Sequence, residues 1–359
     1  MKRIRTFGAA AAALGLAAAL TACSGGGLLD APKDDSAEGA GESYTVGVSY
    51  PTSNSPFWAA YMDFVEEGAE QLGVELNTVA ANGDEQKQLA DVQNLISQGV
   101  DGLIITPTST AVASQLLQTA ADADVEVVVT DRYPDFEPGT EGKPPYTAFI
   151  GPNDELAGEN IARALIDAGS DKILALGGVP GSSVTEGRKA GLEKAIENGG
   201  TLVQYQAGDG EAQENGLSAF ESLLQAHPSG TANGVWCYND NLCQGAIKAA
   251  QNADRADEYR FGGMDLTPEA ITAIEKGDYY VSFGGHWLQG GFGLVMLYDK
   301  LGGKDPKTPI VKLDLLEVNA DNVAEFKEQY IDNPPEYDFT ELSQITNPDA
   351  TGSFEITLR

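Results

Sequence analysis

The sequence predicts an α/β protein built from two similar doubly wound parallel-sheet domains. Three observations carry that expectation. Short apolar runs rich in β-branched residues alternate with amphipathic helical patterns from residue 44 to residue 318. The alternation yields more strands than one sheet of ordinary width holds, and it restarts near residue 146. The chain of 359 residues is long enough for two domains with their own cores.

In order, residues 44–49 (YTVGVS) read as a strand. Residues 57–72 have helical spacing, with Pro56 as a start signal and Gly73 as a stop. A strand at 74–79 and a helix at 84–98, ended by Gly99, follow. Then come a strand at 102–106, a helix at 111–122 and the strand 125–130. The second round reads as strand 146–150, helix 154–167, strand 172–176, helix 184–197, strand 201–206 and helix 212–225. It continues with strand 234–238, helix 242–252, strand 259–262, helix 268–276, strand 280–283 and helix 288–301. Residues 311–318 (VKLDLLEV) are the last strong strand. The β-α-β order requires a parallel sheet with helices on both faces.

Composition excludes some functions. The chain carries 54 acidic and 22 basic residues, a net charge of −32. Nucleic-acid binding needs basic surface to neutralise phosphates, and none is in prospect. The chain begins with a basic stretch, Met1-Lys2-Arg3-Ile4-Arg5, then an Ala-rich apolar run from Ala9 to Leu20, then Leu20-Thr21-Ala22-Cys23. That order matches a bacterial export signal ending in a lipobox, so residues 1–22 are expected to be removed and Cys23 lipidated. Residues 24–43 are rich in Gly, Ser and Asp and read as a flexible tether, giving an extracytoplasmic protein anchored to the cell membrane. Five residues separate Cys237 from Cys243. An oxidising compartment permits a local disulfide between them, with two buried thiols as the alternative. No Cys or His cluster supplies a metal site, and no cofactor is implied.

In open α/β sheets ligands bind beyond the carboxyl ends of the strands, so the residues at those ends are the candidates. After the first strand come Ser55, Pro56, Phe57 and Trp58. Phe57 reads equally as a core staple or a ligand contact, and Trp58 as a flat platform for a sugar's C–H face. Thr106 opens a hydroxyl-rich turn, Thr106-Pro107-Thr108-Ser109-Thr110. Val127-Val128-Val129-Thr130 runs into Asp131-Arg132. An ionised Asp only accepts hydrogen bonds and an Arg only donates them, so the pair can hold neighbouring hydroxyls. As an exposed ion pair it would contribute only about 0–1 kcal/mol. In the second half, Gly177-Gly178-Val179-Pro180-Gly181-Ser182-Ser183 precedes Arg188, but it lacks either phosphate-loop pattern. Asn239-Asp240, Asp265 and Gly284-Gly285-His286-Trp287 follow later strands. His286 stands as a structural residue or a ligand contact. No G-x-S-x-G elbow or H-E-x-x-H pair is present, which argues against an enzyme.

These residues carry a resemblance. Ser55-Pro56-Phe57-Trp58, Ile105-Thr106-Pro107-Thr108, Thr130-Asp131-Arg132, Gly181-Ser182-Ser183 with Arg188 and Gly191, Tyr238-Asn239-Asp240 and Met264-Asp265-Leu266-Thr267-Pro268 occur in that order. The chain resembles the bacterial solute-binding proteins of the ribose-binding type that serve ABC sugar importers. The resemblance covers residues 44 to about 318. It implies a type I periplasmic binding protein fold, with two domains joined by a three-strand hinge that close on a monosaccharide or similar polyol. It implies hydroxyl recognition by Asp131, Arg132, Arg188, Asn239 and Asp265, with Phe57 and Trp58 as the aromatic pair. The partner would be a membrane ABC permease, the protein itself a monomer, and no chemistry would be performed. The alternative of the same fold is a sensor that hands its signal to a membrane kinase. Two departures stand out. Gly210-Glu211-Ala212 lies where an aromatic is often found, and Gly284-Gly285-His286-Trp287 lies where a Gln is often found. The expected division is 44–148 with 284–310 for the first domain and 149–283 with 311–318 for the second. The insert 134–145 and the acidic tail 319–359 have no expected place.

Overall fold

The computed structural model describes residues 43–356 and 358. The expected leader, lipidation site Cys23 and most of the tether therefore lie outside the described residues.

Twelve strands form two six-stranded sheets. The first sheet contains β1 (Thr45–Tyr50), β2 (Glu75–Ala80), β3 (Gly102–Ile105), β4 (Glu126–Thr130) and β5 (Ala148–Pro152). The second contains β6 (Lys172–Leu176), β7 (Thr201–Gln206), β8 (Gly234–Cys237), β9 (Arg260–Asp265) and β10 (Val281–Gly284). The last two strands are shared out: β11 (Ile310–Leu313) joins the first sheet beside β5, and β12 (Leu316–Asn319) joins the second beside β10. The orders β11-β5-β4-β3-β1-β2 and β12-β10-β9-β8-β6-β7 correspond strand for strand. All neighbours are parallel except β12 on β10. The fold is thus the expected α/β architecture of two doubly wound lobes.

Alternation along β4 shows why its valines are needed. Val127 and Val129 pack into the cluster with Leu89, Leu95, Leu116 and Phe149 on one face. Val128 packs on the other face with Ile104, Ile150 and the helix Gln289–Leu301. A strand buried on both faces reads as an unbroken apolar run.

Two expected boundaries need correction. Residues 146–150 were assigned partly to the second domain, but β5 pairs with β4 through Val128↔Ala148, Val129↔Phe149 and Thr130↔Ile150. The connection 131–147 has no helix of its own, so the restart of apolar pattern marks the fifth strand of the first lobe. The chain crosses only after Pro152. Likewise, 311–318 is not one strand of the second domain. It breaks at Asp314-Leu315, which carry the chain between the two sheets. With the passage after β10, these make three crossings.

The insert 134–145 is held down by Phe136, which is buried edge-on to Tyr146 and whose carbonyl accepts from the Tyr146 hydroxyl at 2.5 Å. The tail is a strap over the hinge. Lys327 pairs with Glu275 of the second lobe at 2.8 Å. Phe326 and Tyr330 meet the hinge residue Trp287 edge-on. Phe339 then enters the first lobe between the helices Pro56–Leu72 and Gln289–Leu301. Gly68 and Gly291 open its slot, since a Cβ on either would meet its ring within 2.8 Å. Phe354 stacks on Phe292, and Ile356 packs against Gly285 of the hinge.

Candidate functional site

A cleft of about 520 Å³ lies where the carboxyl ends of the two sheets face each other. Its first-lobe wall includes Ser55, Phe57, Trp58, Asp131 and Arg132, and its second-lobe wall Arg188, Glu211, Tyr238, Asn239 and Asp265, with His286 at the hinge.

The two walls are built alike. Asp131 follows β4 at φ 62°, and Asp265 ends β9 at φ 124°. Non-glycine residues held at such angles carry strain of about 1–3 kcal/mol, a cost concentrated at functional sites. Glycines on the next strands admit this backbone. A Cβ on Gly151 would lie 3.1 Å from the Asp131 carbonyl oxygen, and one on Gly284 would lie 2.8 Å from that of Asp265. A buried polar residue then pins each neighbouring loop. Gln88 donates to Ser49 Oγ and the Thr106 carbonyl, while its own Oε1 accepts from the Thr108 amide. Asp240 accepts from the Thr267 amide, the Tyr279 hydroxyl and the Ser282 hydroxyl.

Arg132 Nη1 donates to the Thr108 carbonyl at 2.5 Å, which ties it to the loop Gln88 holds. Its Nη2 lies 3.6 Å from Glu211 Oε2 across the cleft. Its Nε lies 3.9 Å from Asp131 Oδ2 and has no hydrogen-bond partner. Asp131 Oδ1 accepts from Gln289 Nε2 at 2.8 Å. Arg188 donates from Nε to Asp154 Oδ1 at 3.0 Å and from Nη1 to the Tyr238 carbonyl at 2.8 Å, with its guanidinium 4.6 Å from the Tyr238 ring centre. Both guanidiniums are therefore aimed by fixed partners.

Burial dominates the electrostatics. It pushes the carboxyls of Asp131 and Asp265 upward, against the pull of Arg132 and Gln289 on the first and Arg188 on the second. It pushes Asp154 up to about 7, with Arg188 pulling back. His286 is driven well below its ordinary value by burial, then by Arg188, so the ring is neutral at pH 7. Its ring lies tilted against Phe57 at 4.4 Å between centroids, and its Nε2 lies 3.7 Å from Asp265 Oδ1.

Most of the expected site residues converge on this cleft. Ser55 caps the entry of helix Pro56–Leu72 by its backbone alone, and its side chain makes no capping bond. Phe57 and Trp58 sit edge to face and are both buried and cleft-lining. Asn239 caps the helix Asp240–Asn252 through Oδ1 to the Leu242 amide, and its Nδ2 donates to the Glu211 carbonyl. Thr106 is the correction. It is fully buried behind the wall, with Oγ1 2.6 Å from Thr130 Oγ1, which in turn lies 2.9 Å from the Tyr61 hydroxyl. The backbone turns its side chain into the lobe, while Thr108 and Ser109 reach the cleft. Sequence reasoning missed Gln289. The Gln was sought at 284–287, yet it enters from the first turn of the next helix, because residues 286–288 form a short 3₁₀ turn. Cys237 and Cys243 form a disulfide that ties the end of β8 to the helix Asp240–Asn252. Among the described residues, no group of three or more His, Cys, Asp or Glu is placed to hold a metal.

Two doubly wound lobes, three crossings and a polar, aromatic-lined cleft define a hinged binding protein of type I fold. The periplasmic binding protein domain profile matches residues 46–305, and the chain belongs to that family. It is 31% identical over 260 residues to a ribose import binding protein of Bacillus subtilis (strain 168), covering 71% of this chain and 80% of the relative. It is 28% identical over 242 residues to a galactofuranose-binding protein of Escherichia coli (strain K12), covering 65% and 74%. The crystal structure of a galactofuranose binding protein superposes with a TM-score of 0.73 at 25% identity, over 79% of this chain and 97% of that one.

Proposed function

We propose that the protein is the extracytoplasmic solute-binding component of an ABC importer, taking a monosaccharide or similar polyol into the cleft. The observation that carries the reading is the cleft's inventory. Two buried carboxylates and two buried guanidiniums, one of each kind per lobe, converge beside the aromatic faces of Phe57, Trp58 and Tyr238. Every sugar hydroxyl both donates and accepts. Asp131 and Asp265 would accept hydrogen bonds from its hydroxyls, and Arg132 and Arg188 would donate hydrogen bonds to its oxygens. The aromatic rings would cover the apolar C–H face and exclude water. Asp131, Arg132, Arg188, Asn239, Asp265 and His286 are the proposed contacts, with Ser55 at the rim.

Closure is the mechanism. The lobes touch across the cleft mouth through Arg132 with Glu211 and through the Thr110 amide, which donates to the Gly181 carbonyl at 3.3 Å. These contacts suit a closed form that a permease would recognise, with the protein held at the membrane through Cys23 as a monomer. The names of the relatives, import and sugar-binding proteins, favour uptake over sensing. A thermal-shift panel of pentoses, hexoses and polyols tests the reading, because a ligand that binds only the folded state raises its stability by mass action. A rise with at least one sugar is expected. A panel without any response would overturn the proposal.

A further inference from the structure

We propose that Trp287 is a positioning residue of the binding site, held by the tail and acting through its neighbours His286 and Gln289. The proposal rests on the sugar-binding reading of the cleft, and it gives the crossing Gly284-Gly285-His286-Trp287 a role. Residues 286–288 form one short 3₁₀ turn, closed by the Leu288 amide, which donates to the Gly285 carbonyl at 3.2 Å. The turn sets two buried side chains against the acids of both lobes. His286 lines the cleft, 4.4 Å from the Phe57 ring and 3.7 Å from Asp265 Oδ1. Gln289, the first residue after the turn, donates to Asp131 Oδ1 at 2.8 Å.

Trp287 stands between these two in sequence but outside the cleft wall, half-buried against the tail. Phe326 and Tyr330 of the tail stack on each other at 5.2 Å, and Trp287 meets both rings edge-on, at 6.5 and 6.2 Å. That stacked pair is itself fixed. Phe326 is buried, Lys327 beside it pairs with Glu275, and Asn322 ties the start of the helix Val323–Lys327 to β12 by donating to the Glu317 carbonyl at 2.7 Å. Ile356 packs on the other end of the turn, at Gly285, where φ is 99° and a Cβ would lie 2.7 Å from the Ile356 side chain. The tail therefore grips the turn at Gly285 and Trp287 while His286 and Gln289 serve the site. A 3₁₀ turn this short has poor hydrogen-bond geometry of its own, so packing sets its position. Without the indole, a ligand would have to order His286 and Gln289 as it binds, a cost that the packed turn removes in advance.

The test compares Trp287→Ala, Trp287→Phe and the milder Tyr330→Ala with the wild type. Phe220→Leu serves as a control for stability alone, since Phe220 is buried in the second lobe against Tyr259 and Phe261. Hydrogen exchange of the ligand-free proteins, read by mass spectrometry, is the first arm. Peptides spanning residues 284–292 should lose protection in Trp287→Ala and Tyr330→Ala and keep it in Trp287→Phe. Calorimetry is the second arm, run well below every melting temperature with the sugar that gives the wild type its largest thermal shift. Trp287→Ala should bind about tenfold more weakly, the scale of ordering two side chains. Trp287→Phe should recover most of that loss, and Phe220→Leu should bind like the wild type. If Trp287→Ala does not fold, Tyr330→Ala decides both arms in the same direction with a smaller loss. Unchanged exchange or undiminished affinity in Trp287→Ala, a Phe variant as weak as the Ala one, or an equal loss in Phe220→Leu overturns the positioning role while the sugar-binding reading stands. A wild type that binds no sugar overturns that reading, and the exchange arm alone then decides the role of Trp287.

Discussion

Asp131→Asn is the perturbation that isolates the clamp. Asn tolerates the left-handed backbone that Asp131 adopts at φ 62°, whereas other side chains would add strain. The change therefore removes the charge and leaves the shape. Oδ1 already accepts from Gln289, so Oδ2 and the second lone pair of Oδ1 are free for ligand. Hydrogen bonds to a charged group contribute about 1.5–3 kcal/mol and neutral ones about 0.5–1.5, so two ligand bonds would lose roughly 2–3 kcal/mol. That weakens binding by about 30- to 150-fold. At a ligand concentration of about 100 times the wild-type Kd, stabilisation is about 2.7 kcal/mol in the wild type and falls to below about 1 kcal/mol in the variant. The assay is thermal unfolding with and without the best ligand of the panel. Burial already pushes the Asp131 carboxyl upward, so the ligand-free variant should melt no lower than the parent. A variant with an undiminished ligand shift would refute Asp131 as a ligand acceptor.

The tail should be part of the fold. Phe339→Ala empties a fully buried slot between two helices and should cost about 3–5 kcal/mol in urea unfolding, whereas a loose appendage would cost nothing measurable. Reduction should lower stability by about 2 kcal/mol, the entropy of a loop this short, with Cys243→Ser giving the same loss and no further response to reductant. Stability should also depend on pH with a definite sign. Asp131, Asp154 and Asp265 titrate higher in the folded chain than in the unfolded one, Asp154 at about 7. The folded state thus binds more protons, and stability is lost as pH rises through the folded values. The ligand-free melting temperature should fall from about pH 5 to about pH 8, and Asp265→Asn should flatten that slope. A flat or opposite profile in the parent would show that these carboxyls are better solvated than their burial implies.

Much of the architecture was legible because parallel strands buried on both faces and their crossover helices write strong patterns. Asp131 was legible for the same reason: three valines run into a charge where the sheet must end. Asp265, Asn239 and Arg188 follow similar ends. Thr106 was misread because a strand's last residue can face either the cleft or the lobe, and only the contact with Thr130 decides which. Gln289 was hidden by a 3₁₀ turn that shifts the register of the hinge. The membership of β5 and the break at Asp314-Leu315 depend on pairing between distant segments, which local periodicity does not encode. The slot for Phe339 is the same kind of case, since it needs glycines more than 200 residues apart, at 68 and 291, to face one another.

The central claim is that a small polyhydroxyl ligand sits between the two lobes, and a crystal structure of the protein with the tightest ligand of the panel tests it most directly. The account predicts ligand density in the cleft, with ligand atoms within hydrogen-bond distance of Asp131, Arg132 and Arg188 and the ligand's C–H face against the ring of Phe57 or Trp58. Ligand bound elsewhere on the protein, with the cleft carboxylates untouched, would contradict it.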